Sequence, residues 1–231
     1  MKRGYGCTAA LLALAMLAPG SPRAATMEVP GIQGNGYTFH LTSLREARFR
    51  GTVRQHFDFS CGSAATATLL TYQYGYPMDE QWVFEQMYAH GDRAKIRREG
   101  FSLLDIKRFL HANGFEADGF HVPLDKLRQS SVPAIVLLNE KGYHHFVVVK
   151  GLRDGRVLVG DPARGTRVMA RAAFEAAWQT RLVFVIHNRR TLAVFNSADD
   201  WRAAPLASLA DGIDRRGLDR ITLPKRGPGD R

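Results

Sequence analysis

Cysteine is scarce in this chain: only Cys7 and Cys61 occur among 231 residues. Long apolar runs are scarce as well. The run from Thr8 to Ala18 is shorter than the roughly 20 residues that cross a bilayer, and no later stretch is apolar enough to do so. There is no glycine-rich phosphate loop. Cys61 has no second cysteine near it for zinc, and His40, His56, His90, His111 and His121 are scattered, so neither a metal nor a cofactor is expected. Basic residues exceed acidic ones, 32 to 22, for a formal charge of +10. They form only small clusters, Arg97-Arg98 and Arg189-Arg190, without interleaved aromatics, which argues against nucleic acid. No internal repeat is visible.

What is present begins with an export signal. Met1-Lys2-Arg3 is basic, the apolar run follows, and Pro19-Gly20-Ser21-Pro22 supplies small residues behind it. Cleavage after Gly20 and cleavage near Ala24-Ala25 both fit. The expected organisation is a signal peptide over 1–25, a lead-in over 26–50, a catalytic-type domain over 51–188, and a partly disordered extension over 189–231. Cleavage removes Cys7 together with Lys2, Arg3 and Arg23. It leaves a soluble, periplasmic or secreted protein of charge about +7 with one thiol and no internal disulfide. A lone thiol in an oxidising compartment is a liability unless it is buried or used.

The pattern along the chain predicts an α+β class, with helices first and an antiparallel sheet second. Thr26 to Tyr37 reads as a loose lead-in. Helices are expected from Cys61 to about Tyr74, from Asp79 to Ala89, and after the Ser102/Asp105 capping pattern up to Gly114. Strands are expected at Pro133–Leu138, His145–Leu152, Arg156–Gly160, Thr166–Met169 and Arg181–Ile186. Asp154-Gly155 is read as a hairpin turn. Ala172 to Trp178 reads as a short helix, and Asp199 to Leu209 as a surface helix. Trp82, Phe84 and Trp178 are assigned to the core.

The stretch Gln55-His56-Phe57-Asp58-Phe59-Ser60-Cys61-Gly62 organises the rest. Small and apolar residues follow it, so Cys61 opens a buried helix with Ser60 at the N-cap position. Free N–H groups and the helix dipole there favour thiolate and lower the cysteine pKa. The plainer alternative is a small buried core residue. A cysteine hydrolase also needs a base, a group that orients it, and an oxyanion donor. His144-His145 opens the valine-rich strand and Asp161-Pro162 ends its hairpin partner, so an imidazole and a carboxylate meet there. Adjacent strand residues point to opposite faces. One histidine is therefore expected to face the nucleophile, and periodicity leaves open which.

Three motifs occur in order: Gln55-x5-Cys61-Gly62, His145-Phe-Val-Val-Val-x-Gly151 and Asp161-Pro162-x-x-Gly165. Together they resemble the double-glycine-leader cysteine peptidases, the bacteriocin-processing, C-39-like family. The resemblance spans about Arg54 to Ile186. It implies a papain-like fold, Cys61 as nucleophile, His145 rather than His144 as base, Asp161 as orienting carboxylate, and Gln55 as oxyanion donor with the Cys61 N–H. Members of that family usually carry Asp before the cysteine, where this chain has Ser60, with Asp58 two residues earlier. The exporter members are fused to a membrane domain and an ATPase. This chain carries a signal peptide instead, and is more similar to stand-alone exported members, some of which resemble the peptidase accompanying functional-amyloid secretion.

The reading is an exported cysteine peptidase that acts on a peptide or protein, with a secretion-system component as a candidate partner. A cell-wall amidase or acyltransferase with the same triad is the rival enzyme. A silent peptide-binding domain that assists secretion is the rival without catalysis.

Overall fold

The structure is a computed structural model and describes residues 25–29, 37–41 and 43–204. The expected signal peptide over 1–25 lies, but for Ala25, outside the described residues, as does the chain beyond residue 204. The chain divides into two units, Met1–Thr42 and Ser43–Arg231. In the first, strands β1 (Ala25–Val29) and β2 (Tyr37–Leu41) pair antiparallel, where the sequence reading has a loose lead-in. The glycines that suggested a loop fall between the two strands.

The second unit opens with a short helix, α1 (Leu44–Arg48), capped by the Ser43 hydroxyl. Helix α2 (Cys61–Thr68) is buried at every position and continues as a π-helical turn over Leu69–Gln73, so it runs as far as expected. Its small residues allow this: Ala64, Ala65 and Ala67 are fully enclosed. Helix α3 (Glu80–His90) is capped by Asp79, and α4 (Arg93–Glu99) by Asp92. Helix α5 (Leu103–Ala112) carries the full capping box between Ser102 and Asp105.

Strand β3 (Ala117–His121) and helix α6 (Leu124–Ser130) follow. The chain then builds β4 (Ala134–Glu140), β5 (Tyr143–Arg153), β6 (Arg156–Asp161), β7 (Gly165–Ala170), helix α7 (Arg171–Ala177) and β8 (Leu182–Ile186). The six strands form an antiparallel sheet in the order β3-β8-β4-β5-β6-β7. The expected α+β fold, with N-terminal helices on a C-terminal antiparallel sheet, is borne out.

Both faces of this sheet are covered. Phe146 and Val148 face the core made with α2, α3 and α5, whereas Val147 and Val149 face a second core with Phe174 and Trp178 of the α7 region. This two-sided burial explains the unbroken valine run in β5. Strand β5 bulges between Val149 and Gly151, and Lys150 at the bulge is fully buried. Its ammonium pairs with Asp200 of α8 (Ala198–Ala203) and donates to the Gly51 carbonyl at 2.7 Å. Helix α8 is therefore not a surface helix: Asp200 and Trp201 are both buried. Trp178 belongs to the core as expected. Trp82 does not, since it is 42% exposed and meets Phe109 edge-on at 5.7 Å. No helix among the described residues is long and apolar enough to cross a membrane.

Candidate active site

The loop from Gly51 to Ser60 is fastened at successive points. Thr52 and Thr166 share a hydroxyl hydrogen bond of 2.7 Å, and Val53 N–H donates to Thr68 Oγ1 at 2.9 Å. Gln55 N–H donates to the Pro162 carbonyl at 3.1 Å, which ties the loop to the corner after β6. Phe57 and Phe59 stack at 5.6 Å, and both rest on Phe84 of α3. Ser60 occupies the N-cap position, but its side chain does not cap α2. Its hydroxyl turns back to the Phe57 carbonyl at 3.0 Å and accepts the Phe57 N–H at 3.1 Å. The buried Glu80 carboxylate braces the same region: it accepts the Ser63 hydroxyl at 2.7 Å and pairs with His56.

Cys61 begins α2 and is 7% exposed. The sequence reading expects its pKa to be lowered. The structure reverses that direction. Burial pushes the thiol up, more than the N–H groups of Phe146, Gly62 and Cys61 itself pull it down, and the Asp161 charge adds to the rise. The residue after it must be small: a Cβ on Gly62 would sit 2.8 Å from Phe101 Cβ.

His145 and Asp161 are 1% and 0% exposed and are joined by a hydrogen bond of 3.2 Å between Nε2 and Oδ2. An ionised carboxylate has only acceptors, so Nε2 carries the proton and Nδ1 of the neutral ring is the free base. That Nδ1 is buried and has no hydrogen-bond partner. The Phe146 N–H, next in the chain to His145, approaches the sulfur.

Four donors hold Asp161. Oδ1 accepts the N–H groups of Ala163 at 2.9 Å and Arg164 at 3.2 Å, and Oδ2 accepts Arg167 Nε at 3.0 Å beside His145. Burial alone would raise this carboxyl. The His145 hydrogen bond, the Arg167 charge and the Ala163 N–H together hold it below the ordinary aspartate range. Gly165 closes the turn that presents Asp161. Its φ is +80°, and a Cβ there would lie 2.6 Å from Arg48 Cβ.

The two histidines part as strand alternation requires. His145 turns to Asp161. His144 lines a pocket of about 360 Å³ together with Cys61, Phe101, Leu137, Phe146 and Leu182. Gln55 also reaches this end of the sheet. Its amide Nε2 donates to the Phe57 carbonyl at 3.0 Å and borders the Tyr143 hydroxyl, while its Oε1 is buried without a partner.

Sequence reasoning passes over Tyr143, Arg167 and Glu140. Tyr143 stacks on His145 at 5.1 Å between ring centres, and its hydroxyl donates to the Asp58 carbonyl at 3.4 Å. Its place two residues before His145 is the one signal for it. The Arg167–Glu140 pair spans two strands and leaves no local trace.

A helix-borne thiol with an imidazole base oriented by a carboxylate belongs to the chemistry of cysteine hydrolases, which transfer acyl groups through a thioester. Comparison with known proteins agrees. The model of the Peptidase C39 family matches residues 50–190. The chain is 41% identical over 177 residues to a probable functional amyloid protease, FapD, of Pseudomonas aeruginosa, covering 76% of this chain and 78% of that one. The protein of the same description from Pseudomonas fluorescens is 37% identical over 178 residues, covering 77% and 78%. Among solved structures, the peptidase domain of Streptococcus ComA, a bi-functional ABC transporter involved in a quorum sensing pathway, superposes with a TM-score of 0.50 at 21% identity. That match covers 59% of this chain and 96% of the domain, and is a likeness of fold. The chain belongs to the peptidase C39 family. It is a cysteine peptidase, as the motif resemblance implies.

Proposed function

We propose that Cys61, His145 and Asp161 form the catalytic triad of an exported peptidase that processes a protein or peptide of a functional-amyloid secretion system. The observation that carries the triad is the buried His145–Asp161 hydrogen bond of 3.2 Å, which leaves His145 Nδ1 as an enclosed base without a partner. The basic start and apolar run of the first 25 residues support export to the periplasm or beyond. The likeness to proteins described as probable functional amyloid proteases supports the substrate class.

The chemistry follows from the groups present. His145 Nδ1 takes the proton of Cys61, and the sulfur bonds to the carbonyl carbon of the peptide. The Cys61 N–H and the Gln55 amide hold the oxyanion. For this the Gln55 amide leaves the Phe57 carbonyl or uses its other N–H. The carbon–nitrogen bond then breaks and His145 gives its proton to the departing amine. Water attacks the thioester, His145 takes a proton from it, and the sulfur leaves with that proton restored. Because burial disfavours an isolated thiolate, the reactive form is the thiolate paired with the charged imidazole.

Cys61→Ala tests this reading. Turnover should fall by about 10⁴–10⁶ with the fold intact, and an electrophilic thiol probe should no longer label the protein. Unchanged hydrolysis of a peptide substrate by Cys61→Ala would end the proposal. Amino-terminal sequencing of periplasmic material tests export, and a start at residue 1 would remove that part.

A further inference from the structure

The carboxylate that orients His145 does not face it as a free negative charge. Asp161 Oδ2 receives His145 Nε2 at 3.2 Å and Arg167 Nε at 3.0 Å, so one oxygen serves both cations when the imidazole is protonated. Arg167 is itself placed: it stands on β7, its Nη2 donates to Glu140 Oε1 of β4 at 2.7 Å, and its side chain is 21% exposed. Glu140 also pairs with Arg164, whose Nη1 lies 4.0 Å from Asp161 Oδ2. Two arginines and two carboxylates therefore alternate behind the histidine. The other ionisable groups around it are Tyr143, stacked on its ring, His144 on the opposite strand face, and Cys61 at the start of α2.

A bare carboxylate beside an imidazole stabilises the imidazolium strongly. A carboxylate shared with a guanidinium does so much less, and behaves more like a neutral hydrogen-bond acceptor. We propose that Arg167, held by Glu140, is a positioning residue that neutralises Asp161, fixes its rotamer, and so sets the upper pH limit of the Cys61–His145 ion pair. This inference rests on the triad reading and adds what tunes it. A more basic histidine would stay charged to higher pH but give up its proton to the leaving amine less readily.

The test uses two readouts. The first is the NMR titration of the His145 ring in a Cys61→Ala background, with and without Arg167→Gln and Arg167→Lys. Removing one charge at this range should raise the His145 pKa by about one unit in Arg167→Gln. Arg167→Lys, which keeps the charge, should stay near the parent value. The second is the pH profile of Cys61 alkylation by iodoacetamide. Its alkaline limb should move up with Arg167→Gln.

Arg164 stands close enough to substitute, so Arg164→Gln/Arg167→Gln is included and should shift at least as far as the single variant. Slower alkylation at every pH with an unmoved limb and an unmoved His145 titration, in the double variant as well, would make Arg167 a structural residue only and overturn the inference. The triad reading fails separately, if the wild-type protein is alkylated elsewhere than at Cys61. The His145 titration would still decide the role of Arg167.

Discussion

Lys150 offers the sharpest test of the framework that carries the site. Its side chain is fully enclosed in the most central long strand, and three groups receive its ammonium: the Asp200 carboxylate, the Gly51 carbonyl at 2.7 Å, and the face of Tyr72 at 5.5 Å. Asp200→Asn keeps the shape and removes the charge, which leaves a buried ammonium with neutral partners only. Breaking one half of a buried pair costs roughly 3–5 kcal/mol. The Asp200 side chain is 10% exposed, so water relieves part of this, and the lower end of the range applies. At about 2–4 °C per kcal/mol for a domain of this size, the midpoint should drop by roughly 6–12 °C.

Lys150→Met should cost less, because Asp200 keeps the Gln73 amide at 3.1 Å and some access to solvent. The double variant Lys150→Met/Asp200→Asn should recover part of the Asp200→Asn loss. Urea unfolding and thermal melts of the four proteins supply the numbers. The pH dependence has a definite sign. Burial holds Lys150 below the ordinary lysine range, against the pull of Asp200. Between the folded and ordinary values the unfolded chain binds more protons, so this group makes stability rise with pH there and fall as pH drops through the folded pKa. That slope should vanish in Lys150→Met. A loss under about 3 °C for Asp200→Asn would mean that the ammonium is hydrated in solution, and the buried clamp on α8 would have to be abandoned.

Two further outcomes concern the site. Gln55→Ala should slow hydrolysis by roughly 10²–10³, as removal of an oxyanion donor does, while Cys61 alkylation stays within about tenfold of wild type. A joint fall of both rates in a folded variant would make Gln55 a loop anchor instead. Tyr143→Phe keeps the ring on His145 and should retain most turnover, whereas Tyr143→Leu loses the stacking and should fall by about tenfold. Equal effects would remove the stacking role.

The features legible in the sequence are those set by neighbours. The capping box at Ser102/Asp105 reports a helix start through two residues three apart. Asp154-Gly155 reports a hairpin because both residues must take positive φ, and they do, at 50° and 68°. The elements that escaped lack such signals. Helix α4 has Ile96 as its single buried residue among charges, and is held by the Asp92 cap instead of a periodic apolar face. Strand β3 is a mostly exposed edge, with only Ala117 buried. The burial of Lys150 and the buried face of α8 are paired across 50 residues, a distance at which local pattern says nothing.

Cys61, the proposed nucleophile, shows the same boundary within one residue. Its position at the start of a buried helix was legible from the small residues after it, and that position does supply N–H groups to the sulfur. The inference from position to a lowered pKa failed because burial acts on the thiolate more strongly than a helix start does. The same small residues that reveal the helix are the ones that let it sink into the core. Local sequence therefore reports the favourable effect and, by the same token, the cause of the larger unfavourable one. In the proposed triad, what restores reactivity is a charge brought from elsewhere, the imidazolium of His145, held by Asp161 on the hairpin partner strand. In a site built this way the reactivity of the cysteine belongs to the pair. On the proposed reading it tracks whatever alters the histidine, including Arg167 on β7 and Glu140 on β4.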